Sequence, residues 1–296
     1  MTSEANASGP LVTVAMSVRN NGQTVGVAIR SILAQTYGNF EFVIVDDGSS
    51  DDTARVITGF GDARIRVIHD GRSLGLAARL NQIVDEARGT YIARMDGDDF
   101  SYPDRFARQV AFLEANPAID LLGTSAVAFS SSGEVLGAFT VSTKHEAIVA
   151  RPDIGFAVAH PTWMGRTSWF RRVPYSQTLK RGQDQVKLLA TFATSRFANL
   201  AEPLLGYRQD LPRINHITQS RLPYLRAVVQ QAARAGDWGL AGRAMVQQLG
   251  RTAVTVTELA IGRGERMLDR RFRPVTSEEL TRFFYVRGGL FPSLDP

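Results

Sequence analysis

Short apolar blocks alternate with amphipathic blocks over the first hundred residues. The short blocks are five to eight residues long and rich in β-branched side chains, which is typical of buried strands. They occupy residues 11–18, 40–45, 65–69 and 91–95. Helical spacing of apolar residues follows at 25–33, from Thr53 and at 76–87, where we expect Gly89 to cap the helix. Strands that alternate with helices predict an α/β fold with a mostly parallel sheet flanked by helices.

The pattern becomes less regular after residue 99 and is helical at the end of the chain. Predicted elements in the middle are a helix at 105–116, a hairpin of strands at 121–129 and 134–140, a helix at 183–194 and a strand within 197–207. The predicted C-terminal helices cover 222–235, 238–249 and 253–261. No run of about 18 apolar residues occurs, so no membrane-spanning helix is predicted. Residues 1–10 are small and polar, lack the pattern of a signal peptide, and predict a flexible tail.

Composition and charge remove several classes of function. The chain has 296 residues and no cysteine, which excludes disulfides, thiolate metal sites and a cysteine nucleophile, and suits a reducing cytoplasm. The net charge of +5 is concentrated in residues 211–296, which contain 13 Arg, no Lys and 7 Asp plus Glu. This basic segment fits a solvated helical surface, an anionic membrane surface or an acidic partner. Nucleic acid is not an expected partner, because no recognition motif accompanies the charge.

Three polar clusters stand where predicted strands end. They are residues 17–20, Asp46 with Asp47, and residues 96–99. Ligands of open parallel sheets bind at the carboxyl ends of the strands. We therefore expect the three clusters to meet at one binding site, and this expectation depends on no family name.

The third cluster, Asp96-Gly97-Asp98-Asp99, places three carboxylates within four residues. Carboxylates this close repel one another and need a compensating cation. Mg²⁺ or Mn²⁺, held by one or two carboxylates and completed by phosphate oxygens, meets that need. We expect Gly97 to let the backbone approach a ligand closely. The alternative is a turn in which Asp side chains cap the next helix.

Other polar residues have two interpretations each. Asp46 and Asp47 could accept hydrogen bonds from a base or a ribose, or belong to the cap of the helix that follows. Asp184 precedes a helix and could be an acid favoured by the helix dipole or a functional carboxylate. His160 is a lone histidine in an apolar setting, where a structural hydrogen bond is the simplest interpretation.

Taken together, these motifs resemble family 2 glycosyltransferases. The motifs are residues 17–20 (SVRN), 28–37 (AIRSILAQTY), 42–51 (FVIVDDGSSD), 91–99 (YIARMDGDD) and 103–106 (PDRF), followed more loosely by 160–164 (HPTWM) and 183–188 (QDQVKL). The resemblance covers about residues 11–210 and is most specific over the first 115 or so. It implies a GT-A fold, in which 11–115 form the nucleotide-binding half and 116–210 the acceptor side. Residues 211–296 lie outside the resemblance, and their own pattern predicts a helical, basic extension.

The resemblance also implies roles for individual residues. Asp184 corresponds to the catalytic base and Asp98 to the metal-binding carboxylate of the DXD motif, which takes Mn²⁺ or Mg²⁺. The residues implied to bind the nucleotide are Ser17, Arg19, Asn20, Asp47 and Asp96, and the supporting residues are Asp99, Asp46, Arg79, His160 and Trp163. The implied reaction moves one sugar, with inversion, from a nucleotide-diphosphate donor, UDP-linked by resemblance, to a hydroxyl of a glycan or a lipid-linked acceptor in cell-surface glycan or polysaccharide synthesis.

The sequence departs from the family pattern beside the implied base. Gln183 stands where the family has Glu, and Val186 replaces a second Asp. These changes keep open a non-catalytic relative that binds nucleotide-sugar. A nucleotidyltransferase ranks lower, because the segment after the first strand lacks a Gly-rich loop with Arg or Lys.

The remaining expectations concern location and assembly. We expect a cytoplasmic enzyme, with a peripheral position at the inner face of the membrane as one option. Membrane contact and a homodimer are the two candidate roles for the C-terminal helices, since basic and apolar residues are interspersed there.

Overall fold

The first half of the chain forms a parallel sheet with helices on both faces. The computed structural model describes residues 9–211 and 214–290, apart from the side chains of 265, 267 and 269, so residues 1–8 of the predicted tail lie outside it. The elements are β1 (Val12–Val18), α1 (Val25–Leu33), β2 (Phe40–Asp46), α2 (Thr53–Thr58), β3 (Ile65–His69), α3 (Leu76–Glu86) and β4 (Tyr91–Met95). The strands lie in the order β4-β1-β2-β3, and every pairing among them is parallel.

The second half extends this sheet with mixed pairings. Its elements are β5 (Phe100–Ser101), α4 (Arg105–Ala115), β6 (Leu121–Phe129), β7 (Val135–Phe139), α5 (His145–Ile148), β8 (Met164–Arg166), α6 (Thr167–Arg172), α7 (Gln183–Thr191) and β9 (Phe197–Arg208). Strand β8 pairs antiparallel with both β4 and β6, and thereby joins the two halves. Strand β9 runs parallel to β6 and antiparallel to β5. The α/β class with flanking helices is confirmed, and its parallel part lies mainly in the first half.

The C-terminal segment is helical and returns to the sheet. It contains α8 (Ile214–Ala235), α9 (Trp238–Ala260), α10 (Glu265–Arg271), β10 (Phe272–Arg273) and α11 (Ser277–Leu290). Strand β10 pairs antiparallel with β7 at the edge of the same sheet. The two helices predicted at 238–249 and 253–261 are one continuous helix. Among the described helices, none combines the length and the apolar character needed to cross a membrane.

The core lies on both faces of the sheet, which explains the continuous apolar runs. On one face, Val14 and Met16 of β1 pack with α1 and α4. On the other face, Ala15 of β1 packs with α3 and with the aromatic side chains Trp163 and Trp169. A strand that is buried on both faces has no solvent-facing position, so its sequence does not alternate.

Two glycines lie where the chain packs tightly. Helix α3 ends with extended backbone at Ala87, so Gly89 is not its cap. A Cβ atom at Gly89 would lie 2.5 Å from the backbone nitrogen of Thr13, so backbone packing requires glycine there. A Cβ atom at Gly97 would lie 2.5 Å from Cγ1 of Val18, so contact with this side chain favours glycine. The approach of the Gly97 backbone to a ligand stays a prediction.

Candidate functional site

The three polar clusters meet at one edge of the sheet. Val18 at the end of β1 is paired with Asp46 at the end of β2, and Met16 is paired with Met95 at the end of β4. Beyond the strands, the N–H of Asp47 donates to the carbonyl of Val18 at 2.8 Å. The hydroxyl of Thr24 donates to the carbonyl of Gly97 at 2.9 Å. The expected convergence is therefore confirmed as geometry, whereas the roles of the residues stay predictions.

The first cluster is braced by Asn20. This residue has a positive φ of 54°, which is uncommon outside glycine. Its N–H donates to the hydroxyl of Ser49 at 2.9 Å, and its side-chain oxygen accepts from the N–H of Ser50 at 2.9 Å. The Asn20 amide thus ties the loop after β1 to the loop after β2. Ser17 is partly buried and Arg19 is exposed at the same edge, so both can reach a ligand there.

Asp46 is completely buried and bound to neighbouring polar groups. It accepts from the N–H and the hydroxyl of Ser49 at 3.0 and 2.5 Å, and its other oxygen contacts Nδ1 of His69 at 2.9 Å. These bonds fix the turn after β2. A carboxylate held in this way stabilises the loop and has no direct path to a ligand.

Asp47 joins β2 to the start of α3. It accepts hydrogen bonds from the N–H groups of Leu74 and Gly75 at 2.7 and 2.9 Å and from Nε of Arg79 at 2.9 Å. Burial alone would raise the pKa of Asp47, but the bonds from Arg79 and the two N–H groups hold that pKa below its ordinary value. Arg79 is fully buried and also binds Asp70. Asp47 is therefore held in its ionised form and links the end of β2 to the start of α3.

The loop after β4 contains the third cluster and a buried arginine. Arg94, in the strand itself, forms an ion pair with the partly exposed Asp96. The guanidinium of Arg94 is buried, and its Nε has no hydrogen-bond partner among the described residues. Because the sequence pattern suggests an ordinary buried strand, Arg94 was not predicted to belong to the site. The signal that could have identified it is a charged residue inside an apolar run.

Asp98 and Asp99 have few donors to offset their charge. Burial, and then the nearby Asp96, raise the pKa of Asp98 to about 6. Burial, followed by the charges of Asp98 and Asp96, raises the pKa of Asp99 well above its ordinary value. Asp99 accepts a bond, at 2.8 Å, from the N–H of Arg208, and its other oxygen is buried with no hydrogen-bond partner in the described part of the chain. Arg208, at the end of β9, also donates to the backbone carbonyl of Asp98 at 3.2 Å and is a second site residue that we did not predict.

This arrangement fits a divalent cation. Asp96 and Asp98 repel each other at a partly buried edge, and an oxygen of Asp99 lacks a donor, so added positive charge would be favourable. In the described part of the chain, no three His, Asp or Glu side chains form a complete metal site. Mg²⁺ and Mn²⁺ sites commonly use one or two carboxylates and take their remaining oxygens from water and substrate phosphates. The residues present thus fit a site in which one or two carboxylates hold the cation, and water and substrate phosphates supply its remaining oxygens.

Asp184 lies in the first turn of α7. The preceding Gly182 has a left-handed backbone with φ 76°, which directs the chain into the helix. Burial raises the pKa of Asp184 above its ordinary value, although hydrogen bonds in the first turn and the charge of Arg94 oppose this shift. The adjacent Gln183 is buried, and its side-chain oxygen has no partner among the described residues. A carboxylate with a raised pKa is suited to accept a proton.

His160 contacts a tyrosine of the loop that precedes α7. Its Nε2 lies 3.0 Å from the hydroxyl of Tyr175, and its ring packs edge-on against Trp163 with centroids 4.6 Å apart. Burial, and then the charges of Arg94 and Lys187, lower the pKa of His160 well below its ordinary value. The imidazole is therefore neutral at pH 7, as expected for a structural hydrogen bond. Trp163 is completely buried, so it supports the site by packing against the His160 ring.

Tyr175 is a third residue that we did not predict. Asn81 of α3 holds its backbone, accepting from the Tyr175 N–H at 2.8 Å and donating to its carbonyl at 2.9 Å. Tyr175 stands in the interval that the sequence left undefined between His160 and Asp184. Tyr175 lies in a loop, and a loop residue belongs to no periodic pattern in the sequence that would predict its place in the site.

Comparison with known proteins agrees with this geometry. Residues 13–173, more than half of the chain, match the family described as "Glycosyl transferase family 2". EpsE of Bacillus subtilis, which is named as a glycosyltransferase, is 35% identical over 210 residues, covering 69% of this chain and 74% of EpsE. The Escherichia coli UDP-Glc:alpha-D-GlcNAc-diphosphoundecaprenol beta-1,3-glucosyltransferase WfaP is 36% identical over 104 residues, which cover 35% of this chain and 41% of WfaP.

Solved structures share the fold at low sequence identity. Residues 1–349 of Staphylococcus aureus TarS, in complex with UDP, are similar with a TM-score of 0.62 and 15% identity, over 94% of this chain. The similarity covers 79% of the TarS chain. The mannosyltransferase PcManGT of Pyrobaculum calidifontis, in complex with GDP-Man and Mn²⁺, has a TM-score of 0.54 at 16% identity, with 96% of this chain and 86% of that chain covered.

The fold has a GT-A-like architecture, and the family match and the similarity to EpsE place the chain among the glycosyltransferases. More specifically, the chain belongs to glycosyl transferase family 2.

Proposed function

We propose that this protein transfers one sugar from a nucleoside-diphosphate sugar, UDP-linked, to a hydroxyl of a glycan or a lipid-linked acceptor. The observation that supports it most is the meeting of three polar clusters at one sheet edge, where Arg94 beside Asp96 also interacts electrostatically with Asp184. The UDP complex of a structural relative and the lipid-linked acceptor in the name of WfaP support the two substrate classes. Synthesis of a cell-surface glycan or polysaccharide is the setting that these substrates suggest.

On the donor side, we assign the nucleotide to the edge formed by the ends of β1 and β2. Ser17 and Arg19 line it, Asp47 faces the base and Asp96 lies towards the ribose. Because Asn20 and Arg79 are engaged in hydrogen bonds within the protein, they act by holding the loops in place. To bind the nucleotide while also holding the start of α3, Asp47 accepts one further hydrogen bond, which a donor group of the base provides.

The leaving group is a nucleoside diphosphate, whose negative charge increases as the sugar–phosphate bond breaks. Asp98, with Asp99 beside it, would hold a divalent cation, which would supply positive charge at the diphosphate. Arg94 and Arg208 add protein-borne positive charge near the same carboxylates and keep the loop after β4 in position.

On the acceptor side, Asp184 takes the proton from the attacking hydroxyl. Burial raises its pKa, which makes it a stronger base than an ordinary aspartate. A single in-line displacement by that hydroxyl inverts the anomeric configuration. Gln183 and the Tyr175–His160 pair are the nearest groups to shape the acceptor pocket.

The test is to incubate the protein with UDP-sugars and Mn²⁺ and to follow UDP release and glycan products. Release of UDP, with transfer or with slow hydrolysis, supports the proposal. Pyrophosphate release from UTP and a sugar phosphate would instead identify a nucleotidyltransferase. Binding of UDP without turnover of any donor would identify the non-catalytic relative that Gln183 and Val186 kept open.

A further inference from the structure

Helix α9 presents an apolar face to the outside of the molecule. Trp238 and Val246 are 70% and 71% exposed, against complete burial of the other two tryptophans. The exposed large apolar residues of this face and its end are Trp238, Met245, Val246, Leu249, Val254 and Ile261. Small residues, Gly242, Gly250 and Ala253, stand between them. So long an apolar face on the surface of a folded protein usually contacts a partner or a membrane.

The opposite face of α9 fixes which side points outward. Ala241 and Ala244 are buried against the protein. Gln248 donates to the backbone carbonyls of Asp153 and Ile154 at 2.8 and 2.9 Å. Because these contacts lock the rotation of the helix, the apolar face cannot turn inward without breaking them.

The charge around this face is positive. Residues 214–263 contain six arginines, no lysine, and two acidic residues, Asp237 and Glu258. Asp237 caps α9 by accepting from the N–H of Leu240, and Glu258 is ion-paired with Arg270. Arg226 and Arg234 of α8, Arg243 of α9 and Arg263 just after α9 are exposed. The surface therefore combines apolar area with excess positive charge.

This combination favours one class of partner. A helix with an apolar face and nearby arginines binds at the interface of a membrane that contains anionic lipids. A second copy of the chain would bring the same arginines against one another, and like charges repel across such an interface. Charge complementarity thus selects the lipid surface over self-association.

The α8–α9 hairpin also lies beside the catalytic side of the molecule. A Cβ atom at Gly182, which precedes α7, would lie 3.0 Å from the carbonyl oxygen of Ser220 in α8. Gln185, next to Asp184, binds the backbone of Phe156, just beyond the segment that Gln248 holds. The hairpin is thus packed against the element that positions Asp184.

We propose that the outward face of α9 rests on an anionic lipid surface. In this position the start of α7 lies close to the membrane, where a lipid-linked acceptor presents its hydroxyl. The second statement rests on the proposed function, whereas the binding to lipid does not.

Trp238 provides a direct probe, because Trp163 and Trp169 are completely buried. The full chain is titrated with vesicles of phosphatidylcholine alone and of phosphatidylcholine with roughly 30% phosphatidylglycerol. We expect a blue shift of tryptophan emission and co-sedimentation with the anionic vesicles, both weakened by high salt. A Trp238→Phe variant should still sediment but lose the blue shift.

Substitutions on the apolar face should weaken binding selectively. Val246→Asp and Leu249→Asp each replace an exposed apolar side chain with a charge that the anionic surface repels, and each should lower vesicle partitioning by about tenfold or more. The matched control is Tyr285→Asp on α11, which is 82% exposed and lies on another helix. The control should partition normally, and all three variants should keep normal UDP affinity.

Three outcomes would overturn the lipid proposal. They are failure to bind anionic vesicles, partitioning that Val246→Asp leaves unchanged, and a concentration-dependent dimer without vesicles in which Trp238 becomes buried. The last would make a second copy the partner. If the protein bound vesicles but no nucleotide, the lipid proposal would stand and the proposed function would be overturned.

Discussion

Two acidic turns follow the strands on either side of β1, and their carboxylates have opposite surroundings. After β2, Asp46 and Asp47 accept several hydrogen bonds each, and the pKa of Asp47 is held low. After β4, Asp98 is half-buried and Asp99 buried, with few donors among the described residues, and both pKa values are raised. The first turn has its charge neutralised within the protein, whereas the second retains charge that a bound cation could offset. Equal acidity in the sequence therefore does not mean equal function.

The largest expected effect belongs to Asp184, whose pKa, like those of Asp98 and Asp99, is raised by burial. Asp184→Asn removes the base while keeping the size of the side chain, so kcat should fall by about 10²- to 10⁴-fold. UDP affinity, measured by calorimetry, should stay unchanged, because Asp184 lies on the acceptor side. Turnover close to that of the wild type in this variant would assign the base to another residue.

A matched pair of variants tests the contrast between the two turns directly. Asp46→Ala leaves Ser49 and His69 without their buried acceptor and should lower the free energy of unfolding by about 1–3 kcal/mol. Asp98→Ala removes a charge that is repelled by Asp96, so stability should hold, while the strengthening of UDP binding by Mn²⁺ disappears. Denaturant unfolding and calorimetry on both proteins provide the comparison. If Asp98→Ala were the unstable variant and still responded to Mn²⁺, the two turns would have been assigned the wrong way round.

Gly97 tests how tightly the second turn is held. Gly97→Ala would place a methyl group 2.5 Å from Cγ1 of Val18, and such overpacking typically costs about 1–3 kcal/mol. Gly61→Ala is the control, since no atom lies within 4 Å of its Cβ position, and its stability should change little. Equal stability of the two variants in urea would mean that the loop relaxes without cost.

The smallest expected effect is a shift in pH dependence. The base must be ionised, and burial raises the pKa of Asp184, so activity should fall at a higher pH than the ordinary aspartate value of about 3.9. Gln183→Glu, which restores the acidic residue of the family, should move this limb higher still, because a second carboxylate disfavours ionisation of the first. The measurement is kcat against pH for both proteins, and a limb that does not move would show that Gln183 is electrostatically remote from Asp184.

The sequence predicted the first half of the fold closely, because local patterns define it. The bounds of β3 and β4 agree with the prediction at every residue. The prediction of two helices within α9 was wrong, because Gly250 interrupts the apolar spacing but a long helix tolerates it. Helix α11 was missed although its start carries a capping box, in which Thr276 and Glu279 exchange hydrogen bonds at 2.9 and 3.2 Å.

The site was predictable only as far as its residues lie in motifs. Asp47 and Asp98 stand at strand ends, where fold and spacing mark them. Their partners come from distant parts of the chain. Arg79, which the resemblance had implied, donates to the carboxylate of Asp47, whereas Arg208, which was not predicted, donates to the backbone carbonyl of Asp98. Arg94 looked like a strand residue, and Tyr175 came from a segment without a pattern. Long-range packing, which one sequence does not display, determined the contributions of Arg94, Arg208 and Tyr175.

The most direct test of the donor site is calorimetric titration with UDP, dTDP, GDP, CDP and ADP, each with and without Mn²⁺. The structure and the proposal predict that UDP binds and that Mn²⁺ strengthens its binding. Failure of every nucleotide to bind to protein that is demonstrably folded would contradict the assignment of the acidic sheet edge as a donor site.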